Sequence, residues 1–248
     1  TFDDKNLNQY FFIILILILM GFLFLFFYTS IQRFSTPYGG FDRLEDNIIY
    51  NAIKMNMGEA IYVNPAKAAV TSVIYPPAYI FLVSSLIPIF GVKIWLGRLI
   101  SIISALFIGK RIFTIVKEET YDLKIAMISG LLFFSFYGIT KQWYDHGRAD
   151  LFYALLIIES FYYAYHFNRS ILYKYLIIIL SVVIFFTRQT GLYVTFGCLI
   201  YFLMLDKKFA FIYLASVIGI SMSLFGWIQF QNDGWFYFYN FEILKNAP

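Results

Sequence analysis

The chain has 248 residues, of which 60% are hydrophobic, 22% are aromatic and only 14% are charged, with a formal net charge of +4. Soluble domains carry about 25% charged residues and roughly 45–50% apolar ones, and the core of a water-soluble domain of this length does not hold 30 Phe and 21 Tyr. The composition excludes a disordered chain, a nucleic-acid-binding module and a secreted disulfide scaffold, the last because Cys198 is the single cysteine. It predicts an all-α, polytopic membrane protein.

The first apolar block, from Tyr10 to Thr29, is long enough to cross roughly 30 Å of hydrocarbon as a helix. The longest polar stretch follows, from Ser30 to Ile74. Within it, residues Leu44 to Met57 repeat apolar side chains at three- and four-residue steps, and Gly58 is a stop signal, which predicts an amphipathic helix lying on the membrane surface. We expect residues 30–93 to form the first extracytoplasmic loop, with helices on the membrane surface.

A second apolar stretch, from Pro77 to Val92, is only 16 residues long and contains Pro88. The step Tyr75-Pro76-Pro77 breaks the chain before it. Because a stretch this short is more often interfacial than spanning, we expect it to rest on the outer surface. With the first block, six later apolar blocks complete a prediction of seven spans: Ile94–Val116, Leu123–Ile139, Leu151–Phe167, Leu172–Phe186, Leu192–Leu205 and Phe209–Ile228.

Charges in the breaks between these blocks predict the topology. Alternate breaks hold a set of basic residues: Lys110, Arg111, Lys117, Lys124, Arg169, Lys174, Lys207 and Lys208. The positive-inside rule places this set in the cytoplasm. The other breaks, residues 141–150 and 187–190, then lie on the extracytoplasmic side together with the first loop and residues 229–248. We expect one multi-pass domain over residues 1–248 in the cytoplasmic membrane, as the N-terminal part of a longer chain.

Two polar clusters of the extracytoplasmic side contain carboxylates. Asp42, Glu45 and Asp46 open the amphipathic helix, where acidic residues also act as caps. The second cluster, in residues 144–150, places an arginine and an aspartate next to hydrocarbon, where they need pairing or water. It forms either an interfacial ion pair with snorkelling side chains or a polar pocket for a charged ligand.

A third cluster, Thr187 to Gly191, contains Arg188, whose planar fork binds phosphate oxygens bidentately and which can alternatively anchor a helix end. Glu159 lies nine residues after Asp150, and so ~13 Å along the same helix and at mid-membrane depth. We expect it to be protonated and hydrogen-bonded between helices; a functional role in a passage is the other interpretation. The sequence has no phosphate-binding glycine loop, zinc spacing, nucleophile elbow or dinucleotide fingerprint.

The order of these pieces resembles the C-superfamily (GT-C) of membrane glycosyltransferases, in the branch of protein mannosyltransferases and lipid A 4-amino-arabinose transferases, with further similarity to a bacterial subgroup. The matching steps cover nearly the whole chain: Glu45-Asp46, Gly58-Glu59-Ala60-Ile61-Tyr62, Tyr75-Pro76-Pro77, Gly97-Arg98, Arg148-Ala149-Asp150, Thr187-Arg188-Gln189-Thr190 and Gly234-Trp235-Phe236-Tyr237. No single step is specific, and their order carries the resemblance. Many members have Asp-Glu where this chain has Glu45-Asp46, and the 13-residue spacing to Gly58 favours Glu45 as the catalytic acid.

The resemblance implies an enzyme that moves a sugar from a polyprenyl-phosphate donor to an extracytoplasmic acceptor with inversion of the anomeric carbon. It implies that Glu45 is the base or acceptor-orienting acid, with Asp46 in support and Asp150 as a second acid. It implies that cationic side chains hold the donor phosphate, namely Arg148, Arg188, Lys141 and Arg98. Acceptor or loop positioning falls to Tyr62, Tyr75, Gln189 and His146.

The expected partners are the polyprenyl-phosphate-linked sugar, a glycan, lipid or protein acceptor and the lipid bilayer, but no nucleic acid. No cofactor is required for this chemistry, and a divalent cation held by Asp42, Glu45 and Asp46 stays an open alternative. The rival hypothesis is a polytopic transporter or flippase for a lipid or small anion, which would use the same arginine and aspartate side chains as a passage. Broken helices paired in two repeat halves would favour it, and the sequence shows no such pairing.

Overall fold

The structure, a computed structural model, describes residues 4–34, 43–67 and 75–245. The described part is helical and contains no β-strand, which confirms the predicted all-α class. Short helical turns lie at Pro65–Lys67, at Trp143–Asp145 and over residues 235–245. The longer helices are α1 (Asp4–Phe34), α2 (Arg43–Asn56), α3 (Ala78–Phe90), α4 (Trp95–Thr120), α5 (Leu123–Ser135), α6 (Ala149–Tyr165), α7 (Ile171–Thr187), α8 (Gly191–Leu205) and α9 (Lys207–Gln231).

Among the described residues, three helices are long and apolar enough to cross a membrane: residues Gln9–Phe34 of α1, the whole of α4 and the whole of α9. Each has 25 or 26 residues and at 1.5 Å per residue extends about 38 Å, more than the roughly 30 Å of hydrocarbon. Helices α5, α6, α7 and α8 have 13 to 17 residues and extend only about 20–26 Å. Each predicted block thus contains a helix, although α5 ends at Ser135, four residues before the predicted block does. The count of seven spans is not confirmed by length and stays a prediction.

The amphipathic helix of the first loop is confirmed as α2, which begins and ends within one residue of the predicted bounds. Gly58 follows it in the left-handed region, with φ of 77°, where glycine carries no steric penalty. Helix α2 packs on α3. Helix α3 has 13 residues and buries one face: Tyr79, Ile80, Val83, Ser84 and Ile87 are buried. Its expected place on the outer surface stays a prediction.

Successive helices from α4 to α9 run in alternating directions between two polar ends. At one end, here called the Arg end, lie the last turn of α1 with Arg33, the first turns of α4 and α6, and the end of α7 with Arg188. At the other, here called the capped end, side-chain oxygens of Asp122, Ser170 and Asp206 accept hydrogen bonds from the first backbone N–H groups of α5, α7 and α9. This satisfies donors that a helix start leaves unpaired.

Small residues let α4 approach its neighbours closely. A Cβ atom built on Gly130 of α5 would lie 3.0 Å from the carbonyl oxygen of Gly109 in α4, and one built on Gly109 would lie 2.7 Å from the Phe134 ring. Close approach through small residues is how helices pack in lipid, where there is little hydrophobic driving force between them. Helix α4 thus packs closely on α5, and α6 packs on α4 as well.

Candidate functional site

Asp150 lies between two arginines at the Arg end. Its Oδ2 is 2.9 Å from Nε of Arg148, and its Oδ1 is 3.0 Å from Nη1 of Arg188. Arg148 immediately precedes α6 and Asp150 is in its first turn, whereas Arg188 caps the end of α7 in extended conformation and turns towards α6. The three side chains keep 14–27% of their surface exposed. Two of the predicted polar clusters therefore meet in one solvent-accessible group with an excess of one positive charge.

Aromatic side chains surround this group. The Arg188 guanidinium lies 5.0 Å from the ring centre of Tyr75 and donates to its hydroxyl at 3.3 Å. Arg148 lies 4.6 Å from the ring centre of Trp143, which is 43% exposed. Stacking on an aromatic face holds a guanidinium group in a fixed orientation, because the ring covers a face that water would otherwise contact. Tyr75, which the sequence analysis assigns to positioning, thus contacts this group, and Trp143 is an addition.

Glu45 is paired differently, in the interior. It is 3% exposed and accepts from Arg98 at 2.8 Å (Nη2) and 3.4 Å (Nε) and from the backbone N–H of Gly147. Its place in the first turn of α2 also suits a carboxylate, since helix N-termini favour negative charge. Gly97 and Gly147 allow this contact: a Cβ on Gly97 would lie 2.9 Å from the Gly147 Cα. The structure thus places Arg98 on Glu45 and buries it, at 2% exposure, away from the open group around Asp150.

A second buried pair, Arg33 with Asp145, was not predicted from the sequence. Arg33 also contacts Gln142, and Asp145 accepts from the hydroxyls of Tyr137 at 3.0 Å and Ser30 at 3.2 Å. Burial raises the pKa of Asp145, and the Arg33 charge opposes that rise. The only sequence signal for this pair was an arginine at the end of an apolar block and an aspartate in a much later polar break.

The predicted positioning residues take separate places. Tyr62 is buried and donates its hydroxyl to the carbonyl of Tyr75 at 2.6 Å, and its backbone N–H donates to Oδ1 of Asn232 at 3.2 Å. Gln189 donates to Asn240 at 3.1 and 3.2 Å, which ties the end of α7 to the segment after α9. Both contacts brace loops of the Arg end and do not reach the Asp150 group directly.

His146 lies between the two buried pairs, and burial lowers its pKa. Asp46 and Lys141 are exposed at the surface. The described residues contain no group of three or more His, Cys, Asp or Glu side chains suited to a metal ion. Asp42, the third member of the alternative cation site, lies outside the described residues.

Glu159 is hydrogen-bonded between helices, as expected, and its partner is the guanidinium of Arg111. Both of its oxygens accept from Arg111, at 2.7 Å from Nε and 2.6 Å from Nη2, and that guanidinium stacks 3.7 Å from the Tyr162 ring centre. The sequence did not indicate Arg111 as this partner, because Lys110 and Arg111 were assigned to a break, whereas α4 runs through them without interruption. The pair lines a cavity of about 480 Å³ between α3, α4 and α6.

No protein-family model, curated protein or solved structure matches this chain. Chemically, the open group at the Arg end offers two guanidinium forks for an anion and one carboxylate for a proton, with aromatic rings beside them. This combination suits a ligand that carries a phosphate and a hydroxyl-rich portion.

Proposed function

We propose that this chain is a membrane glycosyltransferase that moves a sugar from a polyprenyl-phosphate donor to an extracytoplasmic acceptor, with inversion of the anomeric carbon. The observation that carries the proposal is the open group in which Arg148 and Arg188 converge on Asp150. It combines the two elements that such a displacement needs, cations for the departing lipid phosphate and a carboxylate for the acceptor proton. The resemblance to GT-C enzymes supports the same assignment, since both basic motifs of that resemblance contribute to the group.

The donor chemistry agrees with the position of the group. The first turn of α6 and the last turn of α7 lie where helices emerge at one end of an apolar bundle. A polyprenyl tail can stay in the bilayer while its phosphate meets arginines at that level, so no nucleotide has to be bound. The proposal includes the seven-span topology, with the shorter helices α5 to α8 crossing together with α1, α4 and α9, and with the Arg end on the extracytoplasmic side of the cytoplasmic membrane.

Transfer from a panel of radiolabelled polyprenyl-phosphate sugars into total membrane acceptors tests this proposal. Membranes that contain the full-length protein are incubated with each donor, and Arg188→Ala is measured beside the wild type. We expect label incorporation from one donor and at least a 100-fold loss in Arg188→Ala, because charge stabilisation of this type is worth about 10²–10³ in rate.

Arg169→Ala is the matched control. Arg169 is also an arginine in an ion pair, with Glu118 at 3.1 Å, but it lies at the capped end and its side chain is 53% exposed. Incorporation in this variant should equal that of the wild type. If a well-folded wild type incorporates label from none of the donors, the glycosyltransferase proposal is wrong.

A transporter or flippase for a lipid or small anion is the second candidate, and the Arg111–Glu159 pair favours it. An ion pair that lines a cavity between apolar helices is a typical element of a passage. Uptake of a fluorescent anionic lipid or of labelled phosphate by proteoliposomes would measure this activity. Transport that is lost in Glu159→Gln, without any sugar transfer by the wild type, would decide for the transporter.

A further inference from the structure

The two predicted acids of the Arg end have opposite environments. Glu45 is buried, and each of its oxygens already accepts a hydrogen bond, from Arg98 and from the N–H of Gly147. Asp150 accepts one contact from each of two arginines, and its side chain is 24% exposed. A reacting hydroxyl can therefore approach Asp150 from solvent, whereas at Glu45 it would first have to displace protein donors.

We propose that Asp150 is the catalytic base of the sugar transfer and that Glu45 is a positioning residue, which holds the segment of residues 145–150 in place. This inference rests on the proposed function and reverses the roles that the resemblance implies. A proton on Glu45 would leave the buried guanidinium of Arg98 with an uncompensated charge, a state that proteins avoid. A proton on Asp150 leaves no such uncompensated charge, because the phosphate of the bound donor then pairs with Arg148 and Arg188.

The positioning role follows from the bonds on either side of the segment. Glu45 accepts from Gly147, three residues before Asp150. Arg98, which holds Glu45, also donates to the backbone carbonyl of Arg33 at 2.9 Å, and the side chain of Arg33 binds Asp145. Two buried ion pairs thus fix the segment at residues 145 and 147, and through them the ends of α1, α2 and α4 determine where α6 begins. A shift of these two ion pairs therefore moves Asp150 relative to Arg188 at the end of α7.

The reaction then proceeds by exchange of partners. The donor phosphate binds the guanidinium groups of Arg148 and Arg188, which releases the oxygens of Asp150. The acceptor hydroxyl oxygen attacks the anomeric carbon and forms the new C–O bond, while its proton passes to Asp150. The bond between that carbon and the phosphate oxygen breaks, and its electron pair leaves with the polyprenyl phosphate, whose charge the two arginines stabilise.

The pH dependence of kcat/KM distinguishes a base from a positioning residue. The purified full-length protein is assayed with the active donor as wild type, Asp150→Asn and Glu45→Gln. We expect Asp150→Asn to lower kcat at least 100-fold, since general-base catalysis contributes about 10²–10⁴, and to abolish the acidic limb of the profile. Glu45→Gln should lower kcat but keep the acidic limb, because the proposed base, Asp150, is still present. An acidic limb that disappears in Glu45→Gln and persists in Asp150→Asn would overturn the assignment.

Asp233→Asn is the control for loss of a carboxylate at the same end. Asp233 is exposed and has a φ of 49°, which asparagine also tolerates. Its profile should match the wild type in both limbs. If the transferase is active and Asp150→Asn has the wild-type kcat, this inference fails while the proposed function stands.

A binding measurement keeps the inference testable without turnover. In a Cys198→Ala background, Asp150→Cys and Asp233→Cys are labelled with a water-soluble thiol reagent, with and without undecaprenyl phosphate. We expect the lipid phosphate to slow labelling at Asp150→Cys at least tenfold and to leave Asp233→Cys unchanged. Protection in a protein that transfers no sugar refutes the proposed function but supports Asp150 as a ligand-contacting group. Equal labelling with and without the lipid would overturn its contact with the donor.

Discussion

Removal of one partner of the Arg98–Glu45 pair should destabilise the protein more than any other single loss of charge at the Arg end. The side chains are 3% and 2% exposed, so bulk solvent does not reach Glu45 in place of the guanidinium. Loss of one partner of a buried pair costs about 3–5 kcal/mol, chiefly because the remaining charge stays buried. We therefore expect Arg98→Leu to lower the free energy of unfolding by about 3–5 kcal/mol.

Removal of Glu45 instead of Arg98 should lower the free energy of unfolding further. Glu45→Leu leaves the Arg98 charge buried and also removes the acceptor of the Gly147 N–H, an unsatisfied buried donor that costs about 1–3 kcal/mol. In the double variant no buried charge remains, and replacing both partners by apolar residues is often close to neutral. The double variant should consequently lose only the cost of two orphaned backbone groups, the Gly147 N–H and the Arg33 carbonyl that accepts from Arg98, at about 1–3 kcal/mol each, far less than the sum of the single losses.

The assay is equilibrium unfolding in mixed micelles of a mild detergent and SDS, followed by tryptophan fluorescence, since Trp95 begins α4 three residues before Arg98. The four proteins of the cycle give the coupling energy, which we expect to reach at least about 3 kcal/mol. Additive single losses, or a cost of Arg98→Leu under about 1 kcal/mol, the range of exposed pairs, would refute the reasoning that burial makes this pair strong.

Three other perturbations test separate parts of the structure. Gly97→Ala should lower the free energy of unfolding by about 1–3 kcal/mol, because its Cβ would lie 2.9 Å from the backbone of the 145–150 segment; a variant as stable as the wild type in the same assay would contradict that packing. Glu159→Leu should destabilise the protein and Glu159→Leu/Arg111→Met should restore most of the loss, and a double variant no better than the single one would show that the pair is not coupled. Burial lowers the pKa of both His146 and His166 below the ordinary 6.5, so below pH 6.5 the unfolded state binds protons that the folded state does not, and stability should fall on acidification. Replacing both histidines by Gln should reduce the fall in the free energy of unfolding between pH 6.5 and 5.5. An unchanged fall would show that these two histidines do not cause it.

Much of the helical framework is readable from local patterns. Long apolar blocks predicted α1, α4 and α9, and the three- and four-residue rhythm located α2 to within one residue at each end. These predictions succeed because backbone groups in an apolar chain must be satisfied within the segment, which makes helix the available solution. The convergence of Arg148, Asp150 and Arg188 was also within reach, since their breaks alternate with the basic ones along the chain.

The ion-pair partners of individual charged side chains could not be predicted from local patterns. Sequence reasoning put Arg98 with the phosphate ligands, named no partner for Glu159 and put Arg33 nowhere, whereas the structure pairs them with Glu45, Arg111 and Asp145. These partners lie 53, 48 and 112 residues apart in the chain. A local pattern reports that a charge is buried in an apolar context and needs a partner, but many partners of the right sign satisfy that need equally. Only the packing of α1, α2, α4 and α6 brings one of them within hydrogen-bond distance, because the separation of side chains across helices depends on close contacts such as Gly97 on Gly147.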